Sequence, residues 1–390
     1  MAFHCTRRKF RLFVVAKVLL FIGFLGGYLD EDFRSNVIRA AGPTWFYLSG
    51  LTRYDFRPTL EEQACLNGSA VRINAPGMTP GIPKMVHFVT GVDRPNPITF
   101  INWLAIRAAA ANLGPDVEIR LHYVHLSEEG PWWPDVRERV RLVKHRPTFL
   151  NPFSHIMPPP AEWHPAHKAD ILRLQILLEH GGIYLDGDVI LLRSLDALLA
   201  GRRDVVMGYE GGHRKGSCNA VILAKKGAPF LQRWYRLYDD FDPTDWNYHS
   251  VQLPAKLAAA YPHDICPLSP TAFFWPLWTN DQVAWMHKPL NRQEAAGVAA
   301  AIKRNGGALF PGQLAYHATG AGSHMGASTT QELLARDTRF NMLEGHGRKR
   351  ICELHKPRPC LPTVQEDTVD MRRFWDQMVV LSTDQFIRDG

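Results

Sequence analysis

"HGGIYLDGDVILL", residues 180–192, interrupts an apolar run with two carboxylates, Asp186 and Asp188, directly behind a glycine pair. Side chains this close repel each other, and burying them is costly unless a cation or a hydrogen-bond donor compensates. A parallel strand covered on both faces reads as a continuous apolar run, and functional groups in such sheets collect at the carboxyl ends of the strands. "IYL" followed by Asp186 puts the pair at such an end, and Gly187 lets the backbone turn closely. Two oxygen ligands so placed suit one hard divalent cation, Mn²⁺ or Mg²⁺, which in turn holds phosphate oxygens.

The preceding stretch "AHKADILRLQILLEHGG" has the periodicity of a helix stopped by Gly181 and Gly182, one of them in a left-handed C-cap. Asp170 and Arg173 lie three apart and share a face of that helix, where the plainest reading is an exposed ion pair. Further out, "KMVHFV" and "VEIRLHYV" read as strands and "ITFINWLAIRAAAANLG" as a helix with a glycine stop. The alternation predicts an α/β domain with a largely parallel sheet.

The chain has 390 residues, 46% of them hydrophobic, enough for a large core. Its net charge is +7, but Arg7, Arg8, Lys9, Arg11 and Lys17 precede the first acid, Asp30, and leave only +2 for the remainder. A nucleic-acid surface needs its basic residues on the folded domain, so that class is excluded. "TRRKFRLF", "VVAKVLLFIGFLGGYL" and "DEDFR" in succession read as a basic tail, an apolar span and acidic flanks: a type II signal anchor in residues 1–29. A cleaved signal peptide and twin-arginine export are the alternative readings.

Residues 30–80, ending in "APGMTPGIP", read as a stem, residues 81–325 as the folded domain and 326–390 as a peripheral segment. Five cysteines follow the anchor, so at least one is unpaired, and the close Cys352 and Cys360 are the expected bridge. "NGS" at Asn67 is a glycosylation sequon. "PFSHIMPPPAEWHP" reads as a loop beside a site.

The block "HKADILRLQILLEHGGIYLDGDVILL" resembles the DXD-containing sugar-binding region of family 32 glycosyltransferases, among them initiating α-1,6-mannosyltransferases, inositol-phosphoceramide mannosyltransferases and α-1,4-galactosyltransferases. Looser similarity runs from "IPKMVHFV" to "AYHATGAGSH". The resemblance implies a GT-A type, Rossmann-like domain behind the membrane anchor, and retaining transfer of a hexose from a nucleotide-sugar donor, UDP-hexose or GDP-mannose, to a glycan or glycolipid. It implies a Golgi type II membrane enzyme with a lumenal catalytic domain.

By matching positions, Asp186 and Asp188 hold Mn²⁺ on the donor diphosphate. Asp170 and Arg173 contact ribose or sugar hydroxyls, Tyr184 belongs to the same donor-side block, and Asn219 in "SCNAVILAKKGAPFL" lies beside the donor sugar. His317 in "AYHATGAGSH" completes metal or phosphate binding. The family's tryptophan after the "IPK" strand is replaced here by "VHFVTG", which leaves Phe88 as a candidate for base stacking.

The competing readings are an inactive membrane-tethered carbohydrate-binding protein and a metal-dependent phosphohydrolase. The second wants its aspartate pair at the start of a domain and followed by Thr or Ser, where this chain has Val189. His164 and His167, with Pro165 between them, read as loop residues rather than metal ligands. Glu210 reads as a turn acid or a carboxylate near the donor sugar, and the aromatics from Phe273 to Trp278 as core or as an acceptor-stacking surface.

Overall fold

The computed structural model describes residues 46–54, 58–66, 81–146, 163–201, 203–319 and 337–343, with Lys17 and Thr44. The expected anchor apart from Lys17, the Asn67 sequon, the proline-rich loop apart from its last residues, and Cys352 with Cys360 lie outside the described residues. Among the described residues no helix is long and apolar enough to cross a membrane.

In chain order the main elements are α1 (Leu60–Leu66), β1 (Met85–Thr90), α2 (Phe100–Leu113), β2 (Glu118–Tyr123), β3 (Arg141–Lys144), α3 (Pro165–His180), β4 (Gly182–Leu185), β5 (Val189–Leu191), β6 (Val205–Glu210) and β7 (Gly216–Ala224). Then come α4 (Pro229–Arg236), α5 (Leu253–Ala260), β8 (Ile265–Leu268), α6 (Pro270–Phe273), α7 (Asn280–His287), α8 (Arg292–Arg304) and β9 (Ala315–His317).

Seven strands form one sheet in the order β3-β2-β1-β4-β7-β6-β8, and β5 pairs with β9 in a separate ribbon. The expected largely parallel sheet is mixed: β3, β2, β1 and β4 run parallel, whereas β7 is antiparallel to both neighbours. The reason is local. Only the short turn Gly211–Lys215 joins β6 to β7, and a connection that short permits nothing but a hairpin. On the parallel side the chain moves outward from β1 to β3 and then crosses back to place β4 on the other side of β1. That reversal opens a crevice at the carboxyl ends of β1 and β4.

Alternate residues of each strand feed two cores. Val86, Phe88, Ile183, Leu185, Val221 and Leu223 face α2, which contributes Trp103, Leu104 and Ile106. Tyr184, Val205, Met207 and Ile222 face α3, α4 and α5, with Leu174, Leu177 and Trp234. Thr99 and Asn102 form a reciprocal capping box at the start of α2, which satisfies two otherwise orphaned N–H groups. At the end of α3, Gly181 and Gly182 adopt φ of 68° and 106°. A Cβ on either would lie 2.6 Å from backbone, of Lys226 and Met85 respectively, so no other residue fits the turn that launches β4.

Part of the segment read as a stem is built into the domain. Leu51 is buried, Glu62 pairs with Arg214, and Cys65 is bonded to Cys266 on β8. Cys218 is the free, buried cysteine among the described residues. Likewise, within the segment read as peripheral, Phe340 and Leu343 are part of the main core.

The α3 face of the sheet also carries a chain of imidazoles. His87 Nε2 lies 2.8 Å from the Gly181 carbonyl, His87 Nδ1 2.9 Å from His122 Nε2, and His122 Nδ1 2.7 Å from His145 Nε2. A carbonyl only accepts, so His87 keeps its proton on Nε2, and the same tautomer is imposed on each ring in turn. Burial lowers His87 to about 4 and His122 to about 2. The unfolded chain binds protons there from about pH 6.5 downward while the folded chain does not, so stability is complete above pH 6.5 and falls as pH drops toward 4. Each such histidine contributes up to about 1.4 kcal/mol per pH unit. Thermal unfolding scans are expected to show a clearly lower Tm at pH 5 than at pH 7.5, with a shallower slope for His122→Phe; equal slopes would refute this assignment.

Candidate functional site

The two aspartates sit in the turn that links β4 to β5, at the crevice. The Asp186 N–H donates to the Ala220 carbonyl of β7 at 2.9 Å, and the Val189 N–H returns to the Asp186 carbonyl at 3.0 Å. The Gly187 carbonyl accepts from Asn102 Nδ2 at 2.9 Å, and a Cβ on Gly187 would stand 2.7 Å from that nitrogen. Thus Asn102 both caps α2 and pins the middle of the turn. Its role was not anticipated, although Thr99 three residues before it carries a capping signal.

The β5–β9 ribbon brings the third member. Val189 pairs with His317, and the Ala318 N–H donates to the Asp188 carbonyl at 2.9 Å. His317 Nε2 then lies 3.2 Å from Asp188 Oδ1. One ligand atom from each of Asp186, Asp188 and His317 falls within 4.8 Å of the others. Two carboxylate oxygens and one imidazole nitrogen, only partly buried, fit a Mn²⁺ or Mg²⁺ that keeps further positions for phosphate or water.

Burial opposes charge on His317, but Asp188, Asp186 and Glu210 outweigh it and raise the imidazole to about 9. Burial likewise opposes charge on Asp188, and His317 holds it below the ordinary carboxylate range. The two stabilise each other as an ion pair while no cation is bound.

Behind this trio lies a network anchored on α3. Arg173 is 4% exposed and Asp170 5%. Neither forms the exposed ion pair that spacing alone suggests. Arg173 Nη2 lies 3.0 Å from Asp170 Oδ1, and Nη1 3.1 Å from Asp186 Oδ1 and 2.9 Å from the Asn219 carbonyl. Its Nε donates to the Ala169 carbonyl, and its guanidinium covers the Tyr184 ring at 4.6 Å. Asn219 Nδ2 donates to Asp170 Oδ1 at 2.7 Å, and Tyr184 OH to Asp186 Oδ1 at 2.7 Å. Burial drives the Tyr184 pKa far above the phenol range, so the hydroxyl stays a donor. Asp170, Arg173, Tyr184, Asp186, Asp188, Asn219 and His317 therefore lie in one cluster. Arg173 holds Asp186 directly, while the Asp170 carboxylate and the Asn219 carbonyl hold Arg173.

Other expectations are corrected. Phe88 is 2% exposed in the α2-side core and presents no face to a base. His164 and His167 are not loop residues: His164 caps α3, accepting from the Ala166 N–H, and His167 lies in its first turn against Phe241 and Trp246. Pro165 between them is a helix start and not a helix breaker. Phe273, Phe274 and Trp275 are core, whereas Trp278 is partly exposed and its Nε1 donates to Glu210 Oε1 at 3.0 Å. Glu210 ends β6 rather than sitting in a free turn. Burial raises its pKa, and His317 lowers it, which places the carboxylate in the field of the Asp-Asp-His cluster.

Among families of known proteins, the model described as glycosyltransferase sugar-binding region containing DXD motif matches residues 105–204. The glucan organizing enzyme 1 of Cryptococcus neoformans var. grubii is 31% identical over 280 residues, 67% of this chain and 69% of that protein. Inositol phosphoceramide mannosyltransferase 3 of Schizosaccharomyces pombe is 28% identical over 212 residues, 53% of this chain and 49% of that one. Among solved structures, the galactosyltransferase LgtC with donor and acceptor sugar analogs is 14% identical at a TM-score of 0.35, over 70% of this chain and 97% of that one. The glycosyltransferase GlyE of Streptococcus pneumoniae is 12% identical at 0.35, over 76% and 64%.

Proposed function

Since this chain belongs to the family of glycosyltransferases with a DXD-containing sugar-binding region, we propose that it moves a hexose from a nucleotide-sugar donor to a glycan or glycolipid, using a divalent cation held by Asp186, Asp188 and His317. The observation that carries this reading is the convergence of those three side chains within 4.8 Å at the sheet's switch point. The strand order is in keeping with a GT-A type domain. The two relatives, a glucan organizing enzyme and a mannosyltransferase, support a hexose.

When bound, the cation supplies positive charge against the diphosphate that departs as the bond to the anomeric carbon breaks. The protein's own part is positional. Arg173 and Tyr184 fix one oxygen of Asp186, the Asn102–Gly187 hydrogen bond fixes the turn, and the β5–β9 ribbon fixes Asp188 against His317. Retention of configuration, the UDP or GDP donor, and a Golgi location with residues 1–29 as a type II anchor rest on the sequence resemblance and the N-terminal pattern.

His317, protonated at neutral pH beside Asp188, must give up its proton to become a ligand. Cation binding is expected to release about one proton per site at pH 7 and to tighten about tenfold per pH unit toward pH 9. Calorimetric titration of Mn²⁺ in buffers of different ionisation heat measures this. No proton release would remove His317 from the ligand set.

The function itself is tested by incubating the chain with a panel of UDP- and GDP-sugars and Mn²⁺. Selective release of one free hexose, abolished by chelation, supports the proposal. Release from none of them, or phosphate release from simple phosphate esters instead, contradicts it.

A further inference from the structure

The chain from Phe273 to Trp278 leads away from the cation cluster into a second group of aromatic rings. At its start the Phe274 ring stands edge-on to His317, centroids 5.9 Å apart. One residue on, Trp275 meets Tyr54 at 5.7 Å; Tyr54 meets Phe310 at 5.5 Å, and Phe310 stacks on Trp285 at 6.4 Å. At its end Trp278 meets Phe46 edge-on at 5.5 Å. Tyr54 is 52% exposed and Trp285 39%. Leu51, Trp275 and Leu277 fill the space beneath, a small core separate from the two that hold the sheet.

The ridge is joined to the β6–β7 hairpin through the backbone. Segment 46–54 is laced to the β6–β7 hairpin by the Gly212 N–H to Leu51 carbonyl bond at 3.0 Å. A Cβ on Gly212 would overlap the Arg53 carbonyl oxygen at 1.9 Å, so the hairpin and the segment touch backbone to backbone. Between ridge and cation cluster stands Glu210. Trp278 Nε1 occupies its Oε1 at 3.0 Å, and no donor reaches Oε2 among the described residues.

We propose that this ridge, with Glu210, is the subsite for the carbohydrate acceptor. A pyranose presents a C–H face that packs on flat aromatic rings and a rim of hydroxyls that need acceptors. The exposed rings of Tyr54 and Trp285 and the partly exposed ring of Trp278 supply the first, and Glu210 Oε2 receives one hydroxyl. A purely lipid-facing patch has no use for a carboxylate hydrogen-bonded to one of its rings, and the Glu210–Trp278 pair selects a sugar. The inference rests on the proposed transferase reading, but its binding test needs no donor.

Saturation-transfer NMR on the 390-residue chain with methyl α- and β-pyranosides of glucose, galactose and mannose tests it. At least one pyranoside is expected to receive saturation from the aromatic protons, on its C–H face. Trp278→Ala is expected to reduce the effect at least about fivefold, Trp278→Phe to preserve most of it, and the remote exposed Tyr261→Ala to leave it as in the parent. In transfer assays Glu210→Gln should lower the ratio of sugar transferred to sugar hydrolysed about tenfold or more, through loss of one charged hydrogen bond.

Absence of saturation transfer to every pyranoside would overturn the proposal, as would an unchanged effect in a folded Trp278→Ala chain. So would sedimentation with phosphatidylcholine vesicles that depends on Trp285 while no sugar binds, which would assign the ridge to a membrane surface. Failure of the donor panel with intact pyranoside binding would instead count against the transferase reading and leave the sugar subsite standing.

Discussion

Asp188→Asn is expected to lower cation-dependent turnover of the donor by on the order of 10²–10³-fold, the loss that follows removal of a group stabilising developing charge. The Asn keeps the shape but not the charge. Fold is expected to survive, because the Asp188 carboxylate is partly exposed and its backbone contacts to Ala318 do not depend on the side chain. Asp186→Asn should match the loss in turnover and also lower stability, since Asp186 accepts from both Arg173 and Tyr184. Steady-state donor hydrolysis and thermal unfolding of the two variants check this. Turnover within threefold of the parent for either would remove that carboxylate from the site.

Arg173→Ala carries the largest expected effect on stability. The side chain is buried and is the common partner of Asp170, Asp186 and the Asn219 carbonyl, with Tyr184 beneath it. Its removal strands two acids without their cation, a change that typically costs 3–5 kcal/mol, or roughly 10 °C in Tm at about 2–4 °C per kcal/mol for a domain of this size. Arg173→Lys keeps the charge but loses the planar fork that serves Asp170 and Asp186 at once, so it should recover less than half of the loss. Calorimetric scans decide it: a shift under 3 °C for Arg173→Ala would show that the network contributes little to the fold.

The sequence carried the strand-turn-strand around Asp186 and the helix before it plainly, because a glycine pair and a sudden pair of acids in an apolar run have few structural meanings. Arg173 and Asp170 were legible as neighbours on one helix face, but their burial was not, since periodicity says which residues align and not what packs on them. The direction of β7 was hidden: its all-apolar pattern fits a central strand of either sense, and only the brevity of the Gly211–Lys215 turn reveals the hairpin. Asn102 and the partnership of Glu210 with Trp278 escaped for another reason. Each contact joins elements distant in sequence, and no spacing rule links residue 102 to the turn at Gly187 or residue 278 to Glu210. Tertiary pairing alone put Cys65 against Cys266.

Most rests on the proposed grip of the Asp186–Asp188–His317 cluster on a cation for a nucleoside diphosphate. Electron paramagnetic resonance of Mn²⁺ titrated with the protein tests it most directly, because the six-line signal of the free ion disappears on binding. One Mn²⁺ is expected to bind per chain, at least about tenfold tighter in the presence of UDP or GDP, and binding is expected to be lost in Asp188→Asn. A free-ion signal untouched by the parent chain, with or without nucleotide, would contradict it.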